Sequence, residues 1–193
     1  MGTDGKKKRR VVKIKSSWKN LVMFDFDDTL AKTEECTLVR DKKTDRIVNH
    51  LHGQSDFDNY ELNEEKHYFD FEEFKQVSDF AEPIIPTINL MKKFLNDPDT
   101  KVIILTARQQ EVSPEIGKFL DKHGINSKKV AVFGSNGSRN KLDYLSKLIK
   151  RFNIKESVLV FEDNLLNISD LISLEYEMPD LSFDFVQVID SKN

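Results

Sequence analysis

The chain has 193 residues, of which 38% are hydrophobic and 33% charged, and its formal net charge at pH 7 is −3. This length is enough to bury one substantial core and leaves room for a small insertion, while the near balance of acidic and basic residues excludes a globally polyanionic or polycationic protein. One cysteine, Cys36, excludes an internal disulfide, and the lack of an apolar N-terminal run predicts a soluble, cytoplasmic protein with no membrane partner.

Residues 1–19 are predicted to form a basic N-terminal arm that precedes a folded domain at residues 20–193. Residues 6–10 are three lysines followed by two arginines, and Lys13 and Lys15 continue the pattern. A run of this kind is typical of a solvated terminus. It can also contact phosphates or act as a targeting sequence.

A continuous apolar run at residues 21–24 leads directly into three aspartates, Asp25, Asp27 and Asp28. The run predicts a strand that is buried on both faces, with the carboxylates at its carboxyl end, where open α/β sheets bind ligands. Side chains two apart in an extended chain share a face, so Asp25 and Asp27 are expected to point into one cleft. Such a pair favours a hard cation such as Mg²⁺, and it can supply a nucleophile and a general acid. For Asp28 and Thr29, a turn or a helix N-cap is the alternative interpretation.

The segment Asp25-Phe26-Asp27-Asp28-Thr29, after four apolar residues, resembles the first motif of the haloacid dehalogenase (HAD) superfamily of phosphohydrolases. The resemblance implies that three further motifs follow in order along the chain.

Residues 31–82 form a segment that is too long for a simple loop. Residues 37–40 and 46–49 predict a hairpin with a charged turn, and residues 68–74 predict a short helix capped by Asp70. The HAD resemblance implies that this insertion is a small flap over the catalytic strand end, which would leave room for a large or extended substrate. His50 and His52 could share a metal or contact the substrate.

A packing helix is expected at residues 84–95, followed by a second buried strand that ends in Thr106 and Arg108. This strand end resembles the second HAD motif. A threonine here can donate its hydroxyl to a phosphoryl oxygen. Arg108 is expected to bind a second phosphate or the substrate backbone, with a surface ion pair as the alternative.

The third HAD motif calls for a lysine near the start of a helix, and the helix pattern that begins at Asn140 supplies Lys141. The lysine would offset negative charge on the nucleophile and the phosphoryl group. Arg139 and Lys147 are competing candidates. A solvated helix charge is the alternative for each of the three.

A strand at residues 157–161 ends in Glu162 and Asp163, which resembles the acidic-pair form of the last HAD motif. Asp163 is expected to bind the metal directly, with Glu162 positioning a metal-bound water and Asn167 extending the shell. The preceding strand at residues 130–133 is followed by a loop at 134–138 that we interpret as a connection, and residues 182–189 predict a last strand at the sheet edge.

The alternation of strands and helices predicts an α/β, three-layer fold with a mostly parallel sheet of about five strands. The resemblance implies the HAD Rossmann-like arrangement of this fold, with the Asp25 strand at its centre and a small flap insertion. The resemblance implies a Mg²⁺-dependent phosphomonoesterase that works through an aspartyl-phosphate. Its catalytic residues would be Asp25, Asp27, Thr106 and Lys141. The substrate would contact Thr106, Arg108 and Lys141, and the metal would contact Asp25, the Asp27 carbonyl, Glu162 and Asp163.

The chain is also similar to phage-encoded HAD proteins and, more distantly, to the phosphatase half of polynucleotide kinase-phosphatases. This likeness implies a nucleic-acid 3′-phosphate or a nucleotide as the phosphorylated substrate, and a phage-encoded protein of the host cytoplasm. The alternatives are a phosphoprotein or small-metabolite phosphatase, and a catalytically silent HAD-fold protein that binds a phosphorylated partner.

Overall fold

The computed structural model describes residues 17–137 and 140–189, with the side chains of residues 54, 55 and 58 excepted. The predicted basic run at residues 6–10, Lys13, Lys15 and the candidate Arg139 lie outside the described residues. None of the helices in the described part of the chain combines the length and hydrophobicity needed to cross a bilayer.

The described chain alternates strands and helices, with short 3₁₀ turns at Glu72–Lys75, Gln110–Val112 and Ser127–Lys129. In order, the elements are β1 (Trp18–Phe24), β2 (Ala31–Lys32), β3 (Thr37–Asp41), β4 (Ile47–Leu51), α1 (Gly53–Asp58), β5 (His67–Asp70), β6 (Glu82–Pro83), α2 (Ile85–Phe94), β7 (Thr100–Thr106), α3 (Ser113–Lys122), β8 (Ala131–Gly134), α4 (Lys141–Phe152), β9 (Ile154–Glu162), α5 (Leu165–Leu171), α6 (Ser173–Glu177) and β10 (Ser182–Gln187).

The central sheet has five parallel strands in the order β10-β9-β1-β7-β8, so the Asp25 strand is central and β10 is at an edge, as predicted. The predicted α/β fold with a sheet of about five strands is confirmed. Strand β1 begins at Trp18, so the last residues of the predicted arm, Trp18 and Lys19, belong to the sheet.

Helices cover both faces of the sheet because successive residues of β1 point to opposite sides. Val22 and Phe24 belong to one core cluster, with residues of α2 and α3 such as Met91. Leu21 and Met23 belong to the other, with residues of α4, α5 and α6. A strand that is buried on both faces explains the continuous apolar run at residues 21–24.

The inserted segment forms a separate antiparallel sheet in which β3 lies between β4 and β5. The predicted hairpin is present as β3 and β4. The helix predicted at residues 68–74 is wrong: β5 occupies His67–Asp70, and Glu72–Lys75 is a 3₁₀ turn. Pairing with β3 prevails over the helical spacing, since Arg40 Nε donates to Asp70 Oδ2 across the ladder at 2.6 Å. Asp70 does cap a turn, by accepting the Glu72 N–H at 2.8 Å.

Candidate active site

The carboxyl ends of β1, β7 and β9, the loop after β8 and the inserted segment enclose a cavity of about 360 Å³. Its floor is rich in carboxylates and its outer wall carries flap aromatics. The lining includes Asp25, Asp27, Asp28, Thr33, Glu35, Leu51, Phe57, Phe71, Phe74, Lys75, Arg108, Asn136, Gly137, Lys141, Glu162, Asp163, Asn164 and Asn167. Most of the residues predicted from the sequence as site residues therefore line one cavity.

Asp25 and Lys141 form a buried ion pair at the floor of this cavity. Lys141 is the first residue of α4, and its Nζ lies 2.7 Å from Asp25 Oδ1 and 2.8 Å from Glu162 Oε2. All three side chains are nearly inaccessible to water. Lys147, a competing candidate, instead makes an exposed pair with Asp143 within α4. Of the two lysines, Lys141 is therefore the one that contacts Asp25.

Burial and the negative charge of Glu162 raise the pKa of Asp25 well above its usual value, and Lys141 opposes this rise. Burial lowers the pKa of Lys141, but the charges of Asp25 and Glu162 outweigh burial and raise it overall. Lys141 is therefore protonated, and one ammonium faces several carboxylates.

Asp25, Glu162 and Asp163 each place a carboxylate oxygen within 4.8 Å of the others. Burial, followed by the charge of Glu162, raises the pKa of Asp163 to about 7. Closely spaced carboxylate oxygens suit a hard divalent cation such as Mg²⁺. The donor set thus fits the metal that the sequence predicted.

Glu162 is more fully engaged by protein donors than Asp163. Its Oε2 contacts Lys141, and its Oε1 accepts Asn167 Nδ2 at 3.1 Å and the Asn164 N–H at 3.3 Å. Asp163 is partly exposed to the cavity. This arrangement favours Asp163 as the direct ligand and Glu162 as the residue that orients its neighbours.

Asp27 lies in a tight turn after β1 and is held by two side chains from elsewhere in the chain. Asp28, the next residue, has φ of +52°, and its N–H donates to the Ala31 carbonyl at 2.8 Å. Thr33 Oγ1 donates to Asp27 Oδ1 at 2.8 Å. Arg108 donates from Nε to Oδ2 at 3.0 Å and from Nη2 to Oδ1 at 2.7 Å. The turn reverses the chain, and Thr33 and Arg108 fix the carboxylate.

Arg108 lies at the cavity edge, but its guanidinium faces the protein. The side chain is 1% exposed, and Phe74 and Gln76 offer it backbone carbonyls in addition to the Asp27 carboxylate. The ion pair that the sequence offered as the alternative is present, and it is buried. Thr106, at the end of β7, is also buried, and its Oγ1 accepts the Arg108 N–H at 3.2 Å. An acceptor for the Thr106 hydroxyl hydrogen is not found among the described residues.

The loop after β8, interpreted from the sequence as a connection, also lines the cavity. Its backbone follows the end of β7: the Ser135 N–H donates to the Thr106 carbonyl at 2.8 Å and the Gly137 N–H to the Ala107 carbonyl at 2.8 Å. Asn136 and Gly137 therefore form part of the wall.

The sequence pattern did not single out Thr33, Glu35 or the flap aromatics of the lining as site residues. Their positions depend on how the flap folds over the strand ends, which local patterns do not reveal. His50 and His52, which were candidates, lie on or beside β4 with rings 6.3 Å apart, and Cys36 Sγ lies 3.5 Å from His50 Nδ1. Burial raises the pKa of the Cys36 thiol to about 11, which indicates an unreactive, packed thiol.

No protein-family model and no curated protein matches the chain. Among solved structures, the chain is similar to the HAD domain of the effector protein Lem4 from Legionella pneumophila, with a TM-score of 0.55 and 12% identity over 92% of this chain and 90% of that one. An inactive mutant of the Lem4 domain gives a TM-score of 0.54 at 12% identity, over 91% of this chain and 89% of that one. The Legionella pneumophila effector Ceg4 gives 0.50 at 13% identity, over 96% and 93%.

These likenesses show a HAD-like fold. They do not support the narrower resemblance to phage proteins or to polynucleotide kinase-phosphatases.

Proposed function

We propose that the protein is a Mg²⁺-dependent phosphomonoesterase in which Asp25 is the nucleophile. The observation that carries the proposal is the position of Asp25: it follows the central strand, lies at the floor of the cavity, pairs with Lys141 at 2.7 Å and shares a three-carboxylate cluster with Asp163. In its ionised form the Asp25 carboxylate can attack phosphorus, and the fixed ammonium beside it offsets the negative charge that gathers on the phosphoryl group.

The reaction needs two proton transfers, and we assign both of them to Asp27. As Asp25 bonds to phosphorus, the bond from phosphorus to the ester oxygen breaks, and Asp27 gives its proton to that oxygen. Asp27 then takes a proton from the water that attacks the aspartyl-phosphate, which releases phosphate and restores Asp25. Asp27 lies two residues after Asp25, and its side chain is 26% exposed and lines the cavity, which leaves it accessible to a bound ester.

Thr106 and Lys141 are proposed to hold the phosphoryl oxygens. Thr106 ends β7, which pairs directly with β1, so its hydroxyl lies at the same edge of the sheet as Asp25. Asp25, Asp163 and the Asp27 carbonyl would hold Mg²⁺, with Glu162 behind them. When bound, the ion supplies positive charge that offsets the carboxylates and the phosphoryl oxygens.

For the substrate we propose a nucleotide or the phosphorylated end of a nucleic acid. The outer wall of the cavity carries Phe71, whose ring is 6.1 Å from that of Phe57 and 6.4 Å from that of Phe74. Aromatic faces of this kind stack on nucleobases. The described lining contains three basic side chains, Lys75, Arg108 and Lys141, and each is paired with a carboxylate. The choice of a nucleotide or nucleic acid therefore rests on base stacking and not on basic residues that contact successive phosphates.

The test is hydrolysis of 4-nitrophenyl phosphate with and without Mg²⁺, followed by a panel that contains a mononucleotide, a 3′-phosphorylated oligonucleotide, a sugar phosphate and a phosphopeptide. We expect metal-dependent turnover and the highest kcat/KM on the nucleotide or the oligonucleotide. A preference for the phosphopeptide or the sugar phosphate would reassign the substrate and keep the reaction. No metal-dependent turnover on any of these esters would favour the silent binding protein.

A further inference from the structure

We infer that Arg108 is a positioning residue that holds Asp27 in place and couples it to the flap. The inference rests on the proposed function, in which Asp27 is the acid and base. It replaces the expectation that Arg108 binds a second phosphate of the substrate.

The first step is the contact with Asp27. Two nitrogens of the guanidinium reach the two oxygens of the carboxylate, at 2.7 Å and 3.0 Å. This bidentate geometry fixes the orientation of a carboxylate as well as its position. Thr33 Oγ1 donates to the same carboxylate at 2.8 Å, so Asp27 is held from two directions.

The second step is the contact with the flap. Arg108 Nη1 donates to the backbone carbonyls of Phe74, at 3.3 Å, and Gln76. The Phe74 ring lies over the guanidinium, with its centroid 5.2 Å from Cζ. Glu35 brings a second carboxylate to within 3.4 Å of Nη2, and this carboxylate also accepts the Ser78 N–H at 2.7 Å.

The third step is whether Arg108 has hydrogen-bond donors left to bind a ligand. With its side chain 1% exposed and its donors directed at Asp27, Phe74 and Gln76, Arg108 is not oriented toward a substrate in the cavity. The same side chain that orients Asp27 also anchors residues 74–76. Asp27 is therefore held in the orientation for proton transfer while residues 74–76 contact Arg108. Loss of these flap contacts would release both Arg108 and Asp27.

The test uses leaving-group dependence, because an acid matters more for a poor leaving group than for a good one. Arg108→Lys keeps the positive charge but loses the pair of guanidinium nitrogens that contacts both oxygens of Asp27. We expect it to lower kcat/KM, which reports the transfer of the phosphoryl group to Asp25, by about tenfold or more for an alkyl phosphate and by less than about threefold for 4-nitrophenyl phosphate. Thr33→Val should shift the ratio in the same direction, by less, since it removes a neutral donor.

Arg40→Lys is the matched control. Arg40 also pairs with an aspartate of the flap sheet, through its Nε at 2.6 Å from Asp70 Oδ2, and it does not hydrogen-bond to Asp27 in the described part of the chain. It should leave the ratio of the two esters unchanged. In an Asp27→Asn background, Arg108→Lys should add no further change in that ratio.

Amide hydrogen exchange supplies a readout that does not depend on turnover. Arg108→Gln should speed exchange at residues 74–78 and leave α4 unchanged. The inference would be overturned if Arg108→Lys lowered kcat/KM equally for both esters or raised KM for both. It would also be overturned if Arg108→Lys changed the ratio of the two esters in the Asp27→Asn background, or if amide exchange at residues 74–78 stayed unchanged. If the wild-type protein hydrolysed neither ester, the proposed function would fail, and the exchange result would still decide whether Arg108 anchors the flap. If Arg108→Gln failed to fold, Arg108→Lys would be used for both measurements.

Discussion

Lys141 and Asp25 are 116 positions apart in the sequence, yet Lys141 Nζ lies 2.7 Å from Asp25 Oδ1 in a buried contact. The start of α4 and the end of β1 meet at the same edge of the sheet, and this meeting creates the pair. A buried ammonium that loses its carboxylate partners has a high energetic cost, and so do buried carboxylates that lose their ammonium. The pair therefore links catalysis to stability, and its two members should respond differently to substitution.

Asp25→Asn should abolish metal-dependent phosphatase activity while the fold is retained, because it removes the nucleophile and keeps the side-chain volume. Asp28→Asn is the matched control. Asp28 lies in the same turn at φ of +52°, which asparagine tolerates, and should keep most of the activity. Initial rates with 4-nitrophenyl phosphate and circular dichroism check both variants. Near wild-type turnover by Asp25→Asn would contradict a covalent mechanism at this residue.

Lys141→Met should destabilise the protein by about 3–5 kcal/mol, since Asp25 and Glu162 would lose a buried cation. Lys147→Met removes an exposed pair with Asp143 in the same helix and should cost about 0.5 kcal/mol or less. Urea unfolding of the metal-free proteins gives both values. The hypothesis of a buried, paired Lys141 would be contradicted if the two variants had the same free energy of unfolding. The wild-type level of turnover by Lys141→Met would argue against its role at the phosphoryl group.

Stability without metal should fall as the pH rises from about 4 to 7. Burial and Glu162 raise the pKa of Asp163 to about 7, whereas a free aspartate titrates near 3.9, so the folded state binds more protons than the unfolded state in this window. The upper limit for one such group is about 1.4 kcal/mol per pH unit. The measurement is urea unfolding in EDTA at pH 5, 6 and 7, with Asp163→Asn as the variant that should flatten the curve. The same pH dependence of stability in wild type and Asp163→Asn would contradict the raised pKa of Asp163.

Mg²⁺ should raise the melting temperature more at pH 8 than at pH 5.5, because a metal needs ionised carboxylates. Thermal scans at both pH values, with EDTA as the reference, check this expectation. Asp163→Asn should remove most of the increase. An increase of the same size at pH 5.5, or one that survives Asp163→Asn, would place Mg²⁺ binding somewhere other than the cluster of Asp25, Glu162 and Asp163.

Phe71→Ala should lower kcat/KM for a mononucleotide by about tenfold and leave a small alkyl phosphate unaffected, because stacking on a base is worth about 1–3 kcal/mol. Phe71 is half exposed at the cavity mouth. Phe80→Ala is the control, since Phe80 is also exposed and is absent from the described cavity lining. Equal kcat/KM for the nucleotide in wild type and Phe71→Ala would remove the support for a base-stacking wall. Testing the oligonucleotide at two salt concentrations separates stacking from phosphate contacts, which weaken with salt.

The sequence was a good guide to the strand ends. Asp25, Thr106 and Asp163 each follow a run of buried apolar residues, and parallel strands bring such ends to one edge of the sheet. The apolar runs therefore predicted the buried strands, and the HAD resemblance implied the central place of the Asp25 strand and the residues gathered at its end. Lys141 could be proposed because it opens a helix, although only the three-dimensional arrangement separates it from Lys147.

The flap was harder to predict, and the reason lies in residues 68–74. Phe69 and Phe71 are spaced for a strand, whereas Phe71 and Phe74 are spaced for a helix, so the local pattern supports either structure. The outcome depends on pairing with β3, which is distant in sequence. The same contacts decide the orientation of Arg108. A strand-end arginine can face a ligand or the protein, and the flap carbonyls of Phe74 and Gln76 turn it toward the protein.

The short ladder between β2 and β6 has a consequence for how this chain can vary. It pairs Ala31 with Pro83 and Lys32 with Glu82, so the chain leaves the core and returns to it at neighbouring points. The entropy of closing a loop between such points grows slowly with its length. Segments of quite different size can thus be exchanged there at little cost to the core. The residues gathered at the strand ends can therefore stay in place while the segment between β2 and β6 changes.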